Sequence, residues 1–387
     1  MEEKKQYFNT LSVYFSHGYL DFLTLVHKSY DIREAQEVLK AYRFASAYHH
    51  NQKRKDGSPY ITHPQSVAYI LVKFGFDYET ACAALLHDVV EDTSCTLEDI
   101  KENFGNTIAD IVDGVTKMKG SDFNSLQEEK IATHKKILDS ITKDARIIAV
   151  KLADRLHNMY TLDYLKKEKQ KEIARETLDF YVNLARILGV YQIKDELQDL
   201  CLYTLKQDEF KRMFELRYKL KKDYFNEYKY IGNKTKEDLR EYDIEMDYNY
   251  KVKNVGGLYQ EFLYGKKQNE IKDLLAVRMI VENIGNCYQT LGVVHNICKP
   301  IPGSFIDYIS HPKYNGYRSL NTNVTTYKDS EFQVRIRTKN MQRTNELGII
   351  SNWTPETQKV LNDKCYLMLE ENKKEQEAKK LYMKGLK

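Results

Sequence analysis

The stretch AALLHDVVEDT, residues 83–93, sets an imidazole and a carboxylate, His87 and Asp88, inside an otherwise apolar run, with Glu91 and Asp92 following. Read with YETACAALLHDVVED (78–92), its apolar spacing predicts one continuous helix. On that helix His87 and Glu91 would stack four residues apart, as would Asp88 and Asp92. Burying a polar pair among leucines and valines is costly unless the pair is coordinated or hydrogen-bonded. Two further residues extend the set: His63 in YITHP and Asp154 in KLADRLHNM. Two imidazoles and two carboxylates form a nitrogen/oxygen ligand set for a divalent cation. A lone His before Pro is ordinarily a helix-start residue. The four residues together with Glu91 and Asp92 read instead as the inventory of a metal-assisted hydrolase.

The chain around this stretch is helical to about residue 200. Apolar residues recur at helical spacing in AQEVLKAYRFASAYHH (35–50), HPQSVAYILVKFG (63–75) and TLEDIKENFGNTIADIVDGV (96–115). Pro64 suits the first turn of a helix, and Asp154 and Asn158 lie one turn apart. Residues 196–247 are charged and Tyr-rich, the pattern of long amphipathic connecting helices. From about 248 the pattern changes. LLAVRMIV (274–281), SLNTNVTTY (319–327) and EFQVRIRT (331–338) are short β-branched runs separated by Gly, Pro and Asn clusters, with the helical segment NCYQTLGVVHNIC (286–298) between them. The expected fold is therefore multidomain α and α+β: an all-α domain at 1–195, a helical connector at 196–247, a mixed-sheet domain at 248–356 and a charged helix at 357–387.

Sixty basic and 56 acidic residues leave a net charge of +4, too balanced to call for DNA or an anionic membrane surface as a partner. No apolar stretch reaches membrane-spanning length, and the start of the chain lacks the apolar core of a signal peptide. Six scattered cysteines without a CxxC pair read as reduced thiols in a cytoplasmic protein. Composition says nothing of oligomeric state.

H…HD…D is the short signature of HD-type metal phosphohydrolases, and alone it indicates a reaction class. The flanking text RKDGSPYITHP (54–64), LLHDVVEDT (85–93), FGNTIADIVDGVTK (104–117) and KLADRLHNM (151–159) resembles the hydrolase half of the RelA/SpoT family, which makes and breaks the guanosine alarmones ppGpp and pppGpp. The resemblance runs from about residue 30 to 355. It implies that His63, His87, Asp88 and Asp154 hold Mn²⁺, and that Glu91 and Asp92 position or deprotonate the attacking water. Arg54 and Lys55 would meet the guanine nucleotide, and Asn158 its sugar-phosphate region. The products would be pyrophosphate and GDP or GTP.

In the family the second domain is a nucleotidyltransferase-like synthetase that needs Mg²⁺, a basic cradle for the triphosphate and a base. VKNVGGLYQEF (252–262) and the residue before it keep Lys251 and Lys253. DLLAVRMI (273–280) keeps Asp273, the first metal carboxylate, and Arg278. PIPGSFIDYI (300–309) keeps Tyr308, a candidate ring for stacking on guanine. HPKYNGYRSLNT (311–322) keeps Asn315, Gly316 and Tyr317, and RTKNMQRTNELG (337–348) keeps Glu346. The strand that reads Glu-x-Gln before IRT in active relatives reads QVRIRT here. Gln333 therefore stands where the second magnesium ligand belongs, and glutamine supplies neither charge nor a basic site. Ser304 and Ile306 replace basic residues of the guanine loop, and Asn321, Gln342 and Asn352 replace histidines.

The expectation is a Mn²⁺-dependent (p)ppGpp 3′-pyrophosphohydrolase whose degenerate synthetase site (Lys251, Lys253, Asp273, Tyr308, Gln333) no longer makes the alarmone. The alternatives are a bifunctional synthetase/hydrolase using Mg²⁺, with Glu331 standing in for the lost carboxylate from about 6–7 Å away, and a non-catalytic guanine-nucleotide sensor. A chain complete at residue 387 would lack the long regulatory region of many family members.

Overall fold

The computed structural model describes Lys4, Tyr7, Phe8 and residues 18–116, 126–268, 271, 274–313, 315–348, 350 and 358. These fall into two compact units divided between Ile173 and Ala174, with Ile350 and Gln358 grouping with the first.

The described part of the first unit is mainly helical, with α1 (Tyr19–Ser29), α2 (Ile32–Tyr48), α3 (Thr62–Lys73), α4 (Tyr78–Leu86), α5 (Val89–Asp92), α6 (Leu97–Phe104), α7 (Asn106–Val115), α8 (Leu126–Ile141) and α9 (Arg146–Tyr160). Helix α4 is the centre of the packing. It meets α2, α3 and α7, and every residue from Thr80 to Leu86 is buried. A helix apolar on all faces has to lie in a core. Asp77 caps its start, accepting from the Thr80 backbone N–H at 2.8 Å. Arg146, 2% exposed at the start of α9, bonds to Glu79 at 2.7 Å, Asp144 at 2.7 Å and Asp77 at 3.4 Å, which ties α9 to the entry of α4. Pro64 lies in the first turn of α3, as its fixed φ requires.

The expected single helix through residues 78–92 is corrected. Helix α4 stops at Leu86, His87 and Asp88 form a turn, and α5 is a separate one-turn helix. Asp88, at φ −95° and ψ −10°, leaves the regular helical path. Side-chain periodicity does not register such a break, because the backbone stays in the right-handed region on both sides.

The second unit holds α10 (Tyr191–Leu205), α11 (Gln207–Asp223), α12 (Phe225–Leu239), α13 (Val255–Leu263), α14 (Ile284–Ile297) and α15 (Lys339–Leu347) around a mixed sheet. The strands are β1 (Asp247–Val252), β2 (Leu275–Val281), β3 (Lys299–Pro300), β4 (Ile306–Asp307), β5 (Leu320–Thr325) and β6 (Glu331–Thr338). Their order is β1-β2-β6-β5-β3, with β4 also on β5. Among the described residues only the β2–β6 pair is parallel, and it sets Arg278 beside Arg335 and Ala276 beside Gln333. The expected strands appear as β2, β5 and β6. Strand β1 lies on an edge and alternates exposed with half-buried residues over its first four positions, so DYNYKV carries little apolar signal.

Residues 174–195 cluster with this second unit, where α10 packs on α11, α13 and α15. Helix periodicity shows that a segment buries a face but not against which neighbour. The segment from 357, expected as a charged helix, lies outside the described residues apart from Gln358, whose side chain bonds to the Ile141 carbonyl and the Ala145 N–H, both at 2.9 Å. Among the described residues no helix is long and apolar enough to cross a membrane.

Candidate metal centre

Three packed segments, the start of α3, the turn after α4 and the middle of α9, bring together residues far apart in the chain. Ligand atoms of His63, His87 and Asp88 all lie within 4.8 Å of one another, and all three residues are buried. Asp154 joins them, its Oδ1 lying 3.2 Å from His63 Nε2 and 3.8 Å from His87 Nε2. Asp88 Oδ1 is 3.2 Å from His87 Nε2, and Asp88 Oδ2 is 3.5 Å from His63 Nε2. The four residues singled out in the sequence therefore converge.

The donor chemistry fits a cation. His87 Nδ1 lies 2.7 Å from the Ala84 carbonyl, which can only accept, so Nδ1 carries the hydrogen. His87 Nε2 then points a lone pair into the cluster, and this buried atom has no hydrogen-bond partner among the described residues. Burial opposes charge on His87, but the Asp88 and Asp154 carboxylates outweigh it and raise the imidazole to about 9. A cation would compete with that proton for Nε2. Burial likewise opposes ionisation of both carboxylates and is outweighed. His87 and His63 lower Asp88, while Lys151, 3.5 Å from Asp154 Oδ2, and the histidines hold Asp154 well below the usual range. Burial lowers His63 as well.

Several supporting residues were not singled out in the sequence. His157 Nδ1 lies 2.8 Å from His63 Nδ1. Lys151 and His157 sit within KLADRLHNM, one turn before Asp154 and three residues after it, so helical spacing could have flagged them. Tyr60 OH lies 2.8 Å from Asp88 Oδ2 and 2.9 Å from Asp92 Oδ2. Burial and then the two carboxylates push this phenol far above its usual range, so it keeps its proton. Nothing in one sequence marks a tyrosine of that kind.

Asn158 Nδ2 donates to Asp154 Oδ1 at 2.6 Å and so orients a ligand of the cluster. Arg54 and Lys55 lie on a tight loop closed by Arg54 N–H to the Ser58 carbonyl at 2.8 Å and by Gly57 at φ +87°. Arg54 is half-buried and reaches Thr161 Oγ1 at 3.2 Å, whereas Lys55 is exposed. Glu91 is half-buried and Asp92 exposed at the rim.

In the second unit, the residues of the second motif set lie on and around one sheet face. Lys251 Nζ is 2.7 Å from Asp195 Oδ2, and Lys253 Nζ is 3.0 Å from Glu261 Oε1, so a carboxylate engages each lysine. Arg335 Nε donates to Gln333 Oε1 at 2.6 Å. Asn323 Nδ2 donates to Glu331 Oε1 at 2.7 Å, which turns that carboxylate toward β5. Arg278 pairs with Glu346 at 3.1 Å. Lys313 Nζ lies 4.8 Å from the centre of the Tyr308 ring. Ser304 Oγ donates to the Ile301 carbonyl at 2.7 Å, and Tyr317 OH bonds to Asn321 Oδ1 at 3.3 Å. Asp273 and Asn352 lie outside the described residues.

Known families match the chain in two segments, the first running past the boundary between the two compact units. Residues 41–191 match the HD domain family, and residues 250–359 match the region found in RelA/SpoT proteins. The chain is 40% identical over 324 residues to a guanosine-3′,5′-bis(diphosphate) 3′-pyrophosphohydrolase of Aquifex aeolicus, covering 83% of this chain and 46% of that protein. It is 40% identical over 322 residues to a GTP pyrophosphokinase of Streptomyces coelicolor, covering 82% and 37%. It is 36% identical over 321 residues to the bifunctional (p)ppGpp synthase/hydrolase SpoT of Escherichia coli, covering 83% and 46%. The chain thus spans less than half the length of these relatives. Fold and site together define an HD-domain protein with a possible metal-binding cluster, joined to a mixed-sheet second unit. The chain belongs to the RelA/SpoT family.

Proposed function

We propose that the first unit is a Mn²⁺-dependent (p)ppGpp 3′-pyrophosphohydrolase and that the second unit no longer synthesises the alarmone. The observation that carries the first part is the buried cluster of His63, His87, Asp88 and Asp154, with the His87 Nε2 lone pair turned into it. These four residues would hold the cation, which would supply Lewis acidity and neutralise charge at the phosphate. Glu91 and Asp92, at the rim, would orient the water and take its proton. The water oxygen bonds to the 3′-phosphorus, the bond from that phosphorus to the 3′-oxygen breaks, and pyrophosphate leaves. The 3′-oxygen is protonated, giving GDP or GTP. Arg54 and Lys55 would bind the nucleotide, Arg54 offering a planar group for stacking and phosphate contact. Asn158 would meet the sugar-phosphate region beside Asp154.

Loss of synthesis is supported by Gln333 at the glutamate position and by its bond from Arg335, which places a cation beside a neutral amide. The engagement of Lys251 and Lys253 by Asp195 and Glu261 points the same way.

The test of the first part is a hydrolysis assay. Purified chain with ppGpp and Mn²⁺ should release pyrophosphate, and Asp88→Ala should abolish the release. Full turnover by a folded Asp88→Ala protein would refute the metal assignment.

A further inference from the structure

We propose that Tyr60 is a positioning residue of the hydrolytic centre, its hydroxyl tying the ligand carboxylate Asp88 to the water-handling carboxylate Asp92. The inference rests on the hydrolase reading above for the roles of the two carboxylates. The geometry itself is independent of it.

Asp92 ends the four-residue helix α5 and its side chain is exposed. A carboxylate there loses side-chain entropy if it is to hold one orientation. Two contacts from one loop bear on Asp92, one on its carboxylate and one on its main chain. The Tyr60 hydroxyl reaches Asp92 Oδ2 at 2.9 Å, and Gln52 Nε2 donates to the Asp92 carbonyl at 2.6 Å. Gln52 and Tyr60 are themselves coupled, the Tyr60 N–H bonding to the Gln52 carbonyl at 3.0 Å. The hydroxyl also lies 2.8 Å from Asp88 Oδ2, so a single oxygen sets the separation of the two carboxylates. Its hydrogen turns about the C–O bond, so either carboxylate can accept it.

The ring is fixed as firmly as the hydroxyl. It stacks on His49 with centroids 4.6 Å apart and planes at 26°, and His49 is held by a 2.7 Å bond between its Nδ1 and Gln52 Oε1. The Arg54 guanidinium carbon lies 5.9 Å from the centre of the same ring. Tyr60 therefore joins three parts of the centre: the loop that would meet the nucleotide, the ligand set and the rim carboxylate. A rigid aromatic ring transmits position between them at little entropic cost.

Tyr60→Phe tests this, because it keeps the ring and removes only the hydroxyl. Mn²⁺ affinity, measured by calorimetry on the purified chain, should weaken about tenfold as Asp88 loses its support. With ppGpp, kcat should fall about 10- to 100-fold through misplacement of Asp92, while KM stays within about twofold because the stack under Arg54 survives. Gln52→Ala removes the bond to the Asp92 carbonyl and the hold on His49 but leaves the Tyr60 hydroxyl beside Asp88, and should lower kcat with Mn²⁺ affinity retained. A folded Tyr60→Phe protein with wild-type Mn²⁺ affinity and kcat overturns the proposal. A wild-type chain that binds Mn²⁺ but leaves ppGpp intact refutes the hydrolase reading instead, and the Mn²⁺ titration of Tyr60→Phe still decides whether the hydroxyl supports Asp88.

Discussion

The Nδ1 atoms of His63 and His157 face each other at 2.8 Å inside the first unit, so one ring donates and the other accepts. His157 is buried, and its pKa is held well below the usual histidine range, first by burial and then by the neighbouring His63, so it is neutral. If His63 donates from Nδ1, its Nε2 carries the lone pair that a cation needs. If His157 donates, His63 Nε2 carries the hydrogen instead. Cation binding therefore selects the arrangement in which His157 accepts.

From this follows an effect of His157 on metal affinity without contact to the metal. His157→Phe keeps a ring in the buried space and removes the acceptor, and should weaken Mn²⁺ binding about 10- to 100-fold. A Mn²⁺ titration followed by electron paramagnetic resonance measures it, and unchanged affinity would show that His63 needs no such partner.

Arg335 and Gln333 make a second prediction. Restoring the carboxylate alone, Gln333→Glu, would pair it with the Arg335 guanidinium that now donates at 2.6 Å. The single variant should therefore yield no ppGpp from ATP, GDP and Mg²⁺, as should the wild type. Labelled ATP resolved by thin-layer chromatography detects the product, and wild-type synthesis at ordinary enzyme turnover (about 1–100 s⁻¹) would contradict the loss of activity.

Glu196 governs a pH dependence of stability. Burial, followed by the charges of Asp199 and Asp195, raises its carboxyl from 4.5 to about 8. The folded state binds this proton more tightly than the unfolded chain, so its contribution to stability is full below pH 4.5 and is lost as pH rises to about 8. The loss is on the order of a few kcal/mol at most. Glu196→Gln, which cannot ionise, should flatten the fall in melting temperature across that window. A wild-type slope in the variant would assign the effect to other groups.

Arg146 tests the helical core. It is 2% exposed and bonded to Glu79, Asp144 and Asp77. Arg146→Ala leaves those carboxylates without their common partner and should cost about 3–5 kcal/mol in thermal unfolding. Arg146→Met keeps much of the buried side-chain packing and should cost less. Equal losses would show that pairing, not packing, is what Arg146 supplies.

Much of the ligand set was legible in the sequence because coordination chemistry restricts residue type. His87 and Asp88 stood out as a polar pair in an apolar run, His63 and Asp154 completed a ligand set with them, and the structure brings the four together. The break at His87–Asp88 was not legible, since a turn of near-helical backbone leaves apolar spacing almost unchanged. Edge strand β1 was hidden by its mixed polarity.

The chain alone thus indicated which side chains could bind a cation and where helices give way to strands, and its resemblance to the RelA/SpoT family set a neutral Gln333 where a carboxylate is expected. Tertiary structure alone decided that His157 meets His63 across 94 residues, that Tyr60 meets Asp88 across 28 and Asp92 across 32, and that Asp195 meets Lys251 across 56. The reason is geometric. Periodicity records whether a side chain faces the core or water, but the partner it meets depends on how whole helices and strands pack. A hydrogen bond exists only within a few tenths of an ångström of its proper length.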